Sequence, residues 1–362
     1  MIATKGSSRE PFVDILRFLA ATSVLLFHTN IVGYLGHFSK FPVTSYFALT
    51  GWVGVSVFFI ISGYVITLSA KGKTSITFLV SRTTRLFPNI FLVVIVVFLF
   101  LVLTKRQDLS IWDLIRNLTL TFDDNSVIIK QMWTLVYEVK FYGAVALLLL
   151  INPNLIRNPK YLLALIYLYQ SVLLAFTYFV GTSNTSPSAS LAHFQSWHLG
   201  QYGYLFSIGC CLSIFKKEAS RLFRLFSALA IGVAFLLLCH LHIYRPIDFL
   251  LLLATCAIIL IPQNFFTFRR FENISFILGG ISYPLYLMHV HFTLYILHNC
   301  NFFRIPQELF FILSYLLTIL VCYGILRFYE IPIQRALTKA FKNSRWWPPK
   351  TQSEHRRRLR QR

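Results

Sequence analysis

The sequence predicts an all-α, polytopic integral membrane protein, and three observations lead to this fold class. Of the 362 residues, 56% are hydrophobic and only 13% are charged, whereas soluble domains carry about 25% charged residues. The mean hydropathy is +0.63. Apolar runs of about 20 residues recur along the chain, and each is long enough to cross a hydrocarbon layer about 30 Å thick. A transmembrane β-barrel would instead need short alternating segments, which the sequence lacks.

We predict ten membrane-spanning helices, with both termini in the cytoplasm. Lys and Arg are concentrated in alternate loops, as the positive-inside rule describes for cytoplasmic loops. An even number of spans then returns the chain to its starting side. The predicted spans are 12–31, 46–69, 86–104, 132–151, 160–180, 201–215, 222–241, 246–262, 274–298 and 308–328. The basic residues of the cytoplasmic side are Lys5, Arg9, Lys71, Lys73, Arg82, Arg85, Arg157, Lys160, Lys216, Lys217, Arg221, Arg224, Arg269 and Arg270.

Two parts make up the predicted chain: a membrane domain over residues 1–345 and a basic cytoplasmic tail over 346–362. We expect the tail, with its "SEHRRRLRQR" run, to be disordered and held near anionic lipid. The net charge of +21 follows from the positive-inside rule, so we expect no nucleic-acid partner. Within the outer segment 105–131, apolar residues at near-helical spacing predict a helix lying on the membrane surface. Residues 181–200 predict a flexible loop.

The first predicted span contains three ionisable side chains. Asp14 and Arg17 are three residues apart and can form an ion pair on a helix. Arg17 and His28 are eleven residues apart, so they share a face but differ by roughly 16 Å in depth. Ionisable groups within spans usually face the protein interior or a water-filled path. A packing salt bridge plus an isolated histidine would also account for them, but three such groups on one face favour a functional site.

Five further motifs accompany this span. Together with Asp14-x-x-Arg17 and His28, they resemble the acyltransferase-3 family, in the expected order and over nearly the whole chain. The motifs are "FFIISGYVIT" (58–67), "SRTTRLFP" (81–88) with its Arg-x-x-Arg pair, "MWTLVYEVKFY" (132–142) with its Trp-Thr-Leu-x-x-Glu element, "GGISYPLYLMHVHF" (279–292) and the closing Glu-x-Pro of "YEIPIQRAL" (329–337).

The resemblance implies a multi-pass enzyme of the bacterial inner (plasma) membrane. Members of this family acylate sugars of O-antigen, peptidoglycan, exopolysaccharides, glycolipids and antibiotics. Acyl-coenzyme A is then the donor substrate, acetyl is the default acyl group, and a hydroxyl of a cell-surface or lipid-linked carbohydrate is the acceptor. No permanently bound cofactor and no metal are implied. A transporter or flippase for a lipid-linked sugar is the alternative, because it would line its path with similar buried charges.

Arg82 and Arg85 are the predicted donor-binding pair. They stand three residues apart, just before the third predicted span, and their guanidinium forks suit phosphate oxygens. Acyl-coenzyme A is rich in phosphate, and we expect Arg17 to contact the donor as well. Ordinary positive-inside flanking charge is the alternative explanation for the pair.

His28 is the predicted catalytic residue, assisted by Asp14, Arg17 and Glu138. Neutral imidazole can take the proton from a sugar hydroxyl that attacks the thioester, or it can accept the acyl group and pass it on. The sequence leaves both routes open. Glu138 could position the acceptor, pair with an arginine or orient a histidine. The predicted substrate-binding residues are Trp133, Ser282, Tyr283 and His289.

The first testable prediction concerns topology. A reporter that is active only outside the cytoplasm should give a signal when fused after residues near 120 and 190, because the loops there are poor in Lys and Arg. The same reporter should give no signal after residues near 75, 220 or the C-terminus. The reverse pattern would contradict the cytoplasmic placement of Arg82 and Arg85.

Overall fold

The computed structural model describes residues 10–31, 50–104, 108–123, 126–182, 202–240, 244–262, 269–293 and 307–344. Within these ranges the chain is helical and contains no β-strand, which confirms the predicted all-α class. The predicted tail and nearly all of the predicted loop 181–200 lie outside the described residues.

The helices follow the predicted spans closely in order and position. A 3₁₀ turn at Lys130–Met132 precedes α5, and π-helical segments at His289–Thr293 and Ile325–Glu330 follow α11 and α12. The helices are α1 (Pro11–Ile31), α2 (Val53–Ala70), α3 (Ser75–Leu103), α4 (Ile111–Leu118), α5 (Trp133–Ile151), α6 (Asn154–Arg157), α7 (Pro159–Thr182), α8 (Tyr202–Lys217), α9 (Arg221–His240), α10 (Pro246–Leu260), α11 (Arg269–Met288), α12 (Gln307–Gly324) and α13 (Ile331–Lys342).

Six helical segments within the described ranges are long and apolar enough to cross a membrane. Two shorter apolar segments, Pro159–Ala175 and Pro246–Leu260, fall at two more predicted spans. The other two predicted spans correspond to α8, which has 16 residues, and to α11. The count of ten spans and the side of the termini stay predictions. The six segments are Pro11–Thr29, Val53–Ala70, Ser75–Leu103, Lys130–Ile151, Arg221–His240 and Phe311–Lys342.

Helix α3 departs most from its predicted bounds. The predicted span began at residue 86, but the helix begins at Ser75 and has 29 residues. Thr74 caps it, because its hydroxyl accepts a hydrogen bond from the Thr77 N–H while the Thr77 hydroxyl accepts one from the Thr74 N–H. Such a reciprocal capping box satisfies two N–H groups at the helix start. Arg82 and Arg85 therefore lie inside the helix, within about its first three turns, and not in a flanking loop.

Close helix crossings through glycine form the centre of the bundle. α2 packs most extensively against α8, and α1 packs against both α2 and α11. A Cβ on Gly63 would overlap the backbone oxygen of Phe206, and one on Gly209 would overlap the backbone oxygen of Ile60. Backbone atoms cannot move aside as the end of a flexible side chain can, so this crossing requires glycine on both helices. Small residues at helix interfaces are typical of membrane bundles.

Close approach at glycine residues also orients α1. A Cβ on Gly54 of α2 would lie 2.5 Å from the backbone oxygen of Ala20, and one on Gly279 of α11 would lie 2.6 Å from the Cβ of Asp14. Glycine at these two positions lets α1 approach both neighbours closely. The polar face of α1 is consequently turned towards α11.

The surface helix predicted within 105–131 corresponds to α4, which is 8 residues long. Ile111, Trp112 and Ile115 are exposed on it. The side chain of Asn117 is buried and joins α4 to the following segment: its amide donates to the Ser126 carbonyl, and its oxygen accepts from the Ile128 N–H. An exposed apolar face on a short tethered helix is the pattern expected of an interfacial helix.

The glycine crossing yields a stability prediction. Gly209→Ala should lower the midpoint of thermal unfolding in detergent, because the added methyl overlaps backbone and overpacking costs about 1–3 kcal/mol. Gly232→Ala in α9 is the matched control, since a Cβ there has open space and alanine favours a helix by about 1 kcal/mol over glycine. Equal stability of the two variants would show that the α2–α8 approach is looser than described.

Candidate functional site

Polar side chains from α1, α2, α3, α5, α11 and the π-helical segment Ile325–Glu330 line a cavity of about 100 Å³ inside the bundle. We name it the arginine cavity after the three guanidinium groups in its wall. α1 contributes Arg17, α3 contributes Arg82 and Arg85, α5 contributes Glu138, and α11 contributes Ser282 and Tyr283.

A second cavity, of about 270 Å³, contains the imidazole of His28 and is named the histidine cavity. Its wall is largely aromatic, and Trp52, Trp133 and Tyr202 belong to it. Val55 and Tyr286 line both cavities. The two cavities are therefore neighbours, separated by these two side chains.

Helix α1 reaches both cavities. An oxygen of Asp14 lies 3.5 Å from a guanidinium nitrogen of Arg17, so these residues form the predicted ion pair. Arg17 lines the arginine cavity and His28 lines the histidine cavity. Their eleven-residue spacing separates them by roughly 16 Å along the helix axis. The polar face of α1 that the sequence predicted thus contributes side chains to two cavities at different depths.

Arg82 has unused hydrogen-bonding capacity in the interior. It is only 7% exposed, and its Nε has no hydrogen-bond partner among the residues described. The guanidinium carbon lies 5.6 Å from the centre of the Phe78 ring. A buried cationic donor without a full set of partners is costly. An anionic group entering the cavity would satisfy it, and guanidinium forks bind phosphate oxygens well.

Lys73, in the turn between α2 and α3, adds positive charge beside Arg82. Its ammonium donates a hydrogen bond to the Ser81 hydroxyl, 2.9 Å away. Burial, together with the nearby charge of Arg82, lowers the pKa of Lys73 to about 8. The side chain is therefore cationic below that pH and loses its charge as the pH rises through it.

The carboxylates of the arginine cavity are held by neutral donors. One oxygen of Glu138 accepts hydrogen bonds from the Ser62 hydroxyl (3.1 Å) and the Tyr142 hydroxyl (2.6 Å). Glu330 accepts from the amides of Asn89 and Gln334, each at 2.8 Å. Ser62, Tyr142 and Glu330 were not among the predicted site residues. Glu330 belongs to the closing Glu-x-Pro element, which was the sequence signal that could have identified it.

The two buried histidines form a hydrogen-bonded pair. The Nδ1 of His289 lies 2.7 Å from the backbone oxygen of Tyr286. A carbonyl only accepts, so this Nδ1 carries the proton and the Nε2 has a lone pair. The Nδ1 of His28 lies 3.1 Å from that Nε2 and 2.9 Å from the backbone oxygen of Val24. Both are acceptors, so neutral His28 has its proton on Nδ1 and a lone pair on Nε2.

The structure groups the predicted substrate-binding residues differently from the sequence analysis. His289 is fully buried and contacts His28. Ser282 and Tyr283 lie in the arginine cavity, where their hydroxyls donate to the backbone oxygens of Gly279 (2.7 Å) and Leu86 (3.3 Å). Trp133 lines the histidine cavity and is 38% exposed.

Glu138, predicted to assist catalysis, shares its cavity with the three arginines and not with His28. Of its three possible roles, this position favours pairing with an arginine over orienting the histidine. The residue that contacts His28 is His289.

Tyr286 is a boundary residue that the sequence analysis did not include in the site. Its hydroxyl lies 3.0 Å from the Thr134 hydroxyl and donates to the backbone oxygen of Gln131 at 3.3 Å. Its ring meets Phe58 edge-on, with 5.4 Å between centroids. Tyr286 consequently joins α11 to the start of α5 at the point where the two cavities meet.

Comparison with known proteins agrees with the resemblance seen in the sequence. The family model of an acyltransferase domain matches residues 10–327. The peptidoglycan O-acetyltransferase OatA of Listeria monocytogenes is 27% identical over 198 residues, which are 48% of this chain and 30% of that protein. The O-acetyltransferase OatA of Staphylococcus aureus is 25% identical over 377 residues, covering 91% of this chain and 58% of that protein. The chain thus spans less than two thirds of the length of these relatives. No solved structure matches the chain.

The arginine cavity predicts binding of a phosphate anion. Pyrophosphate should raise the thermal unfolding midpoint of the protein, because a ligand at 100 times its Kd stabilises the native state by about 2.7 kcal/mol. Arg82→Gln should remove most of this shift, and Arg82→Lys should restore only part of it, because lysine lacks the planar fork. Arg116→Gln on the exposed side of α4 is the control. An unchanged shift in Arg82→Gln would exclude Arg82 from anion binding.

Proposed function

Because the chain belongs to the acyltransferase family whose domain matches residues 10–327, we propose that it is a multi-pass membrane O-acyltransferase. It transfers an acetyl group from acetyl-coenzyme A to a hydroxyl of a cell-surface or lipid-linked carbohydrate. One observation carries the proposal: a cavity with three guanidinium groups adjoins a cavity with a histidine whose Nε2 has a free lone pair. The relatives named O-acetyltransferase support acetyl as the acyl group.

The donor binds at the arginine cavity. Arg82 and Arg85 bind its phosphate oxygens, and Arg17, fixed by Asp14, contacts the donor deeper along α1. The volume of the arginine cavity is only about 100 Å³, which is small beside the roughly 300–1,000 Å³ of typical ligand pockets. The cavity therefore takes one phosphate or the narrow pantetheine arm, and the nucleotide stays outside. The positive-inside rule supports a cytoplasmic mouth, which is the compartment of acyl-coenzyme A.

The thioester reaches His28 between Val55 and Tyr286, the two side chains that line both cavities. In the general-base route, the Nε2 of His28 takes the proton of the acceptor hydroxyl. At the same time, the oxygen of that hydroxyl forms a bond to the thioester carbon. The carbon–sulfur bond breaks, and the coenzyme thiolate leaves. Such proton transfer typically accelerates a reaction about 10²–10⁴-fold. In the alternative route, the same Nε2 accepts the acyl group first and the acceptor then removes it.

His289 positions His28 in either route. Its Nε2 lone pair accepts from the Nδ1–H of His28, so the reactive nitrogen remains the one that faces away from His289. When Nε2 gains a proton or an acyl group, the ring becomes positively charged. The contacts with His289 and the Val24 carbonyl then stabilise the Nδ1–H of the charged ring, since hydrogen bonds with one charged partner are stronger.

The proposed function is tested with purified protein in detergent, acetyl-coenzyme A and a glycan acceptor, by measuring the release of free thiol. His28→Ala should abolish transfer but leave donor binding largely intact, because His28 does not line the arginine cavity and Arg17 lies about three helical turns from it along α1. His28→Gln should be nearly as inactive, since its amide cannot accept a proton near neutral pH. Wild-type transfer should fall at acid pH, where a protonated imidazole no longer has its lone pair.

His240→Ala at the exposed end of α9 is the matched control for this experiment and should transfer normally. Near wild-type transfer by His28→Ala would exclude His28 as the catalyst. An acylated His28 peptide, found by mass spectrometry with donor alone, would identify the covalent route. A carrier for a lipid-linked sugar would release no thiol under any of these conditions.

A further inference from the structure

The wall of the histidine cavity contains a polar group that the proposed chemistry does not use. Gln131 is only 4% exposed and lines the cavity. Its Oε1 has no hydrogen-bond partner within the described part of the chain. A buried amide oxygen without a donor is unfavourable. A ligand O–H or N–H that reaches this oxygen from the cavity would remove that cost.

The backbone around Gln131 is held firmly. Its carbonyl accepts hydrogen bonds from the hydroxyls of Thr134 (3.1 Å) and Tyr286 (3.3 Å), and the residue lies in the 3₁₀ turn Lys130–Met132. The backbone from which the side chain projects is thus set before a ligand enters, so less conformational freedom is lost on binding.

Aromatic faces complete the cavity wall. The ring of Trp52 stacks on that of Tyr244, with 5.0 Å between centroids and 20° between planes. The ring of Trp133 lies 5.3 Å from that of Tyr202. Aromatic side chains offer rigid apolar surface with polar edges, which suits the C–H face of a sugar ring.

Lys130 brings a positive charge to the same cavity. Among its lining residues in the described part of the chain, Lys130 is the only lysine, arginine or carboxylate. The side chain is exposed, so it stands at the rim. A lysine ammonium is a mobile point charge that suits a carboxylate or a phosphate group. The volume of about 270 Å³ is close to the lower end of small-molecule pockets, about 300 Å³, which is room for one sugar ring.

The geometry points to an acceptor subsite for one sugar ring that carries an anionic group. Gln131 accepts a hydrogen bond from a hydroxyl next to the reacting one, the aromatic faces pack against the ring, and Lys130 binds the anion at the rim. The reacting hydroxyl then faces the Nε2 of His28. The subsite rests on the proposed function, because it names the class of acceptor that this transferase uses.

The test measures binding separately from transfer. The probes are a uronic-acid trisaccharide, its carboxyl-reduced neutral form and a sugar phosphate, titrated into purified protein and followed by calorimetry. The wild type should bind both anionic probes at least about tenfold more tightly than the neutral trisaccharide. A preference for one anionic probe identifies carboxylate or phosphate as the group at Lys130.

Two substitutions separate the roles. Lys130→Gln should bind the charged and neutral trisaccharides equally, and Lys130→Arg should keep the preference. Gln131→Met should weaken binding of both trisaccharides by a similar factor, because its thioether is a poor acceptor. Lys140→Gln is the matched control, since Lys140 lies over the ring of Tyr137 and does not line the cavity.

Absence of binding of all three probes, or equal binding of charged and neutral trisaccharides by the wild type, would overturn the subsite. A preference that survives in Lys130→Gln would overturn the role of Lys130. The proposed function has a separate readout: a protein that binds the anionic probe but releases no thiol from acetyl-coenzyme A refutes the transferase and leaves the subsite standing.

Discussion

The cost of exposing charge to hydrocarbon is the constraint on which the rest of the structure depends. Three guanidinium groups and three carboxylates lie near one another within a largely apolar bundle, and none of them can face lipid without a large loss of solvation. Ion pairing between Asp14 and Arg17 and the neutral donors around Glu138 and Glu330 meet part of that cost. Part of this cost is not met, notably at the Nε of Arg82, which has no hydrogen-bond partner in the described part of the chain. The interior can therefore bind an anion.

Close helix packing limits the space around this charged interior. Glycine on α2, α8 and α11 allows backbones to approach where any side chain would overlap, and α1 is thereby held with its polar face towards α11. In the described part of the chain, the arginine cavity and the histidine cavity lie between these closely packed helices. Val55 and Tyr286 border both cavities, so the two cavities adjoin inside the bundle. The proposed transfer uses this arrangement.

The predicted site residues divide between the two cavities, and the structure groups some of them differently from the prediction. The motif residues Arg17, Arg82, Arg85 and Glu138 line one cavity. This agrees with the expectation that ionisable side chains within spans face the protein interior. Ser282 and Tyr283, predicted to bind substrate, lie with the arginines, because the turn of α11 that contains them faces α1 and α3. The beginning of α3 was missed for a different reason: charged residues interrupt the apolar run there, although the Thr74 cap and continued helical geometry extend the helix to Ser75.

The sequence alone determined the features that depend on neighbours along the chain. Apolar runs long enough to cross a membrane predicted helices. The spacing of Asp14, Arg17 and His28 placed them on one face of α1, because the helix repeats every 3.6 residues. Only the tertiary structure decided which faces meet. His28 and His289 are 261 positions apart, and no local pattern reports that their nitrogens are 3.1 Å from each other. That contact arises from the packing of α1 against the π-helical segment that follows α11, and it gives the Nδ1–H of His28 a second acceptor beside the Val24 carbonyl.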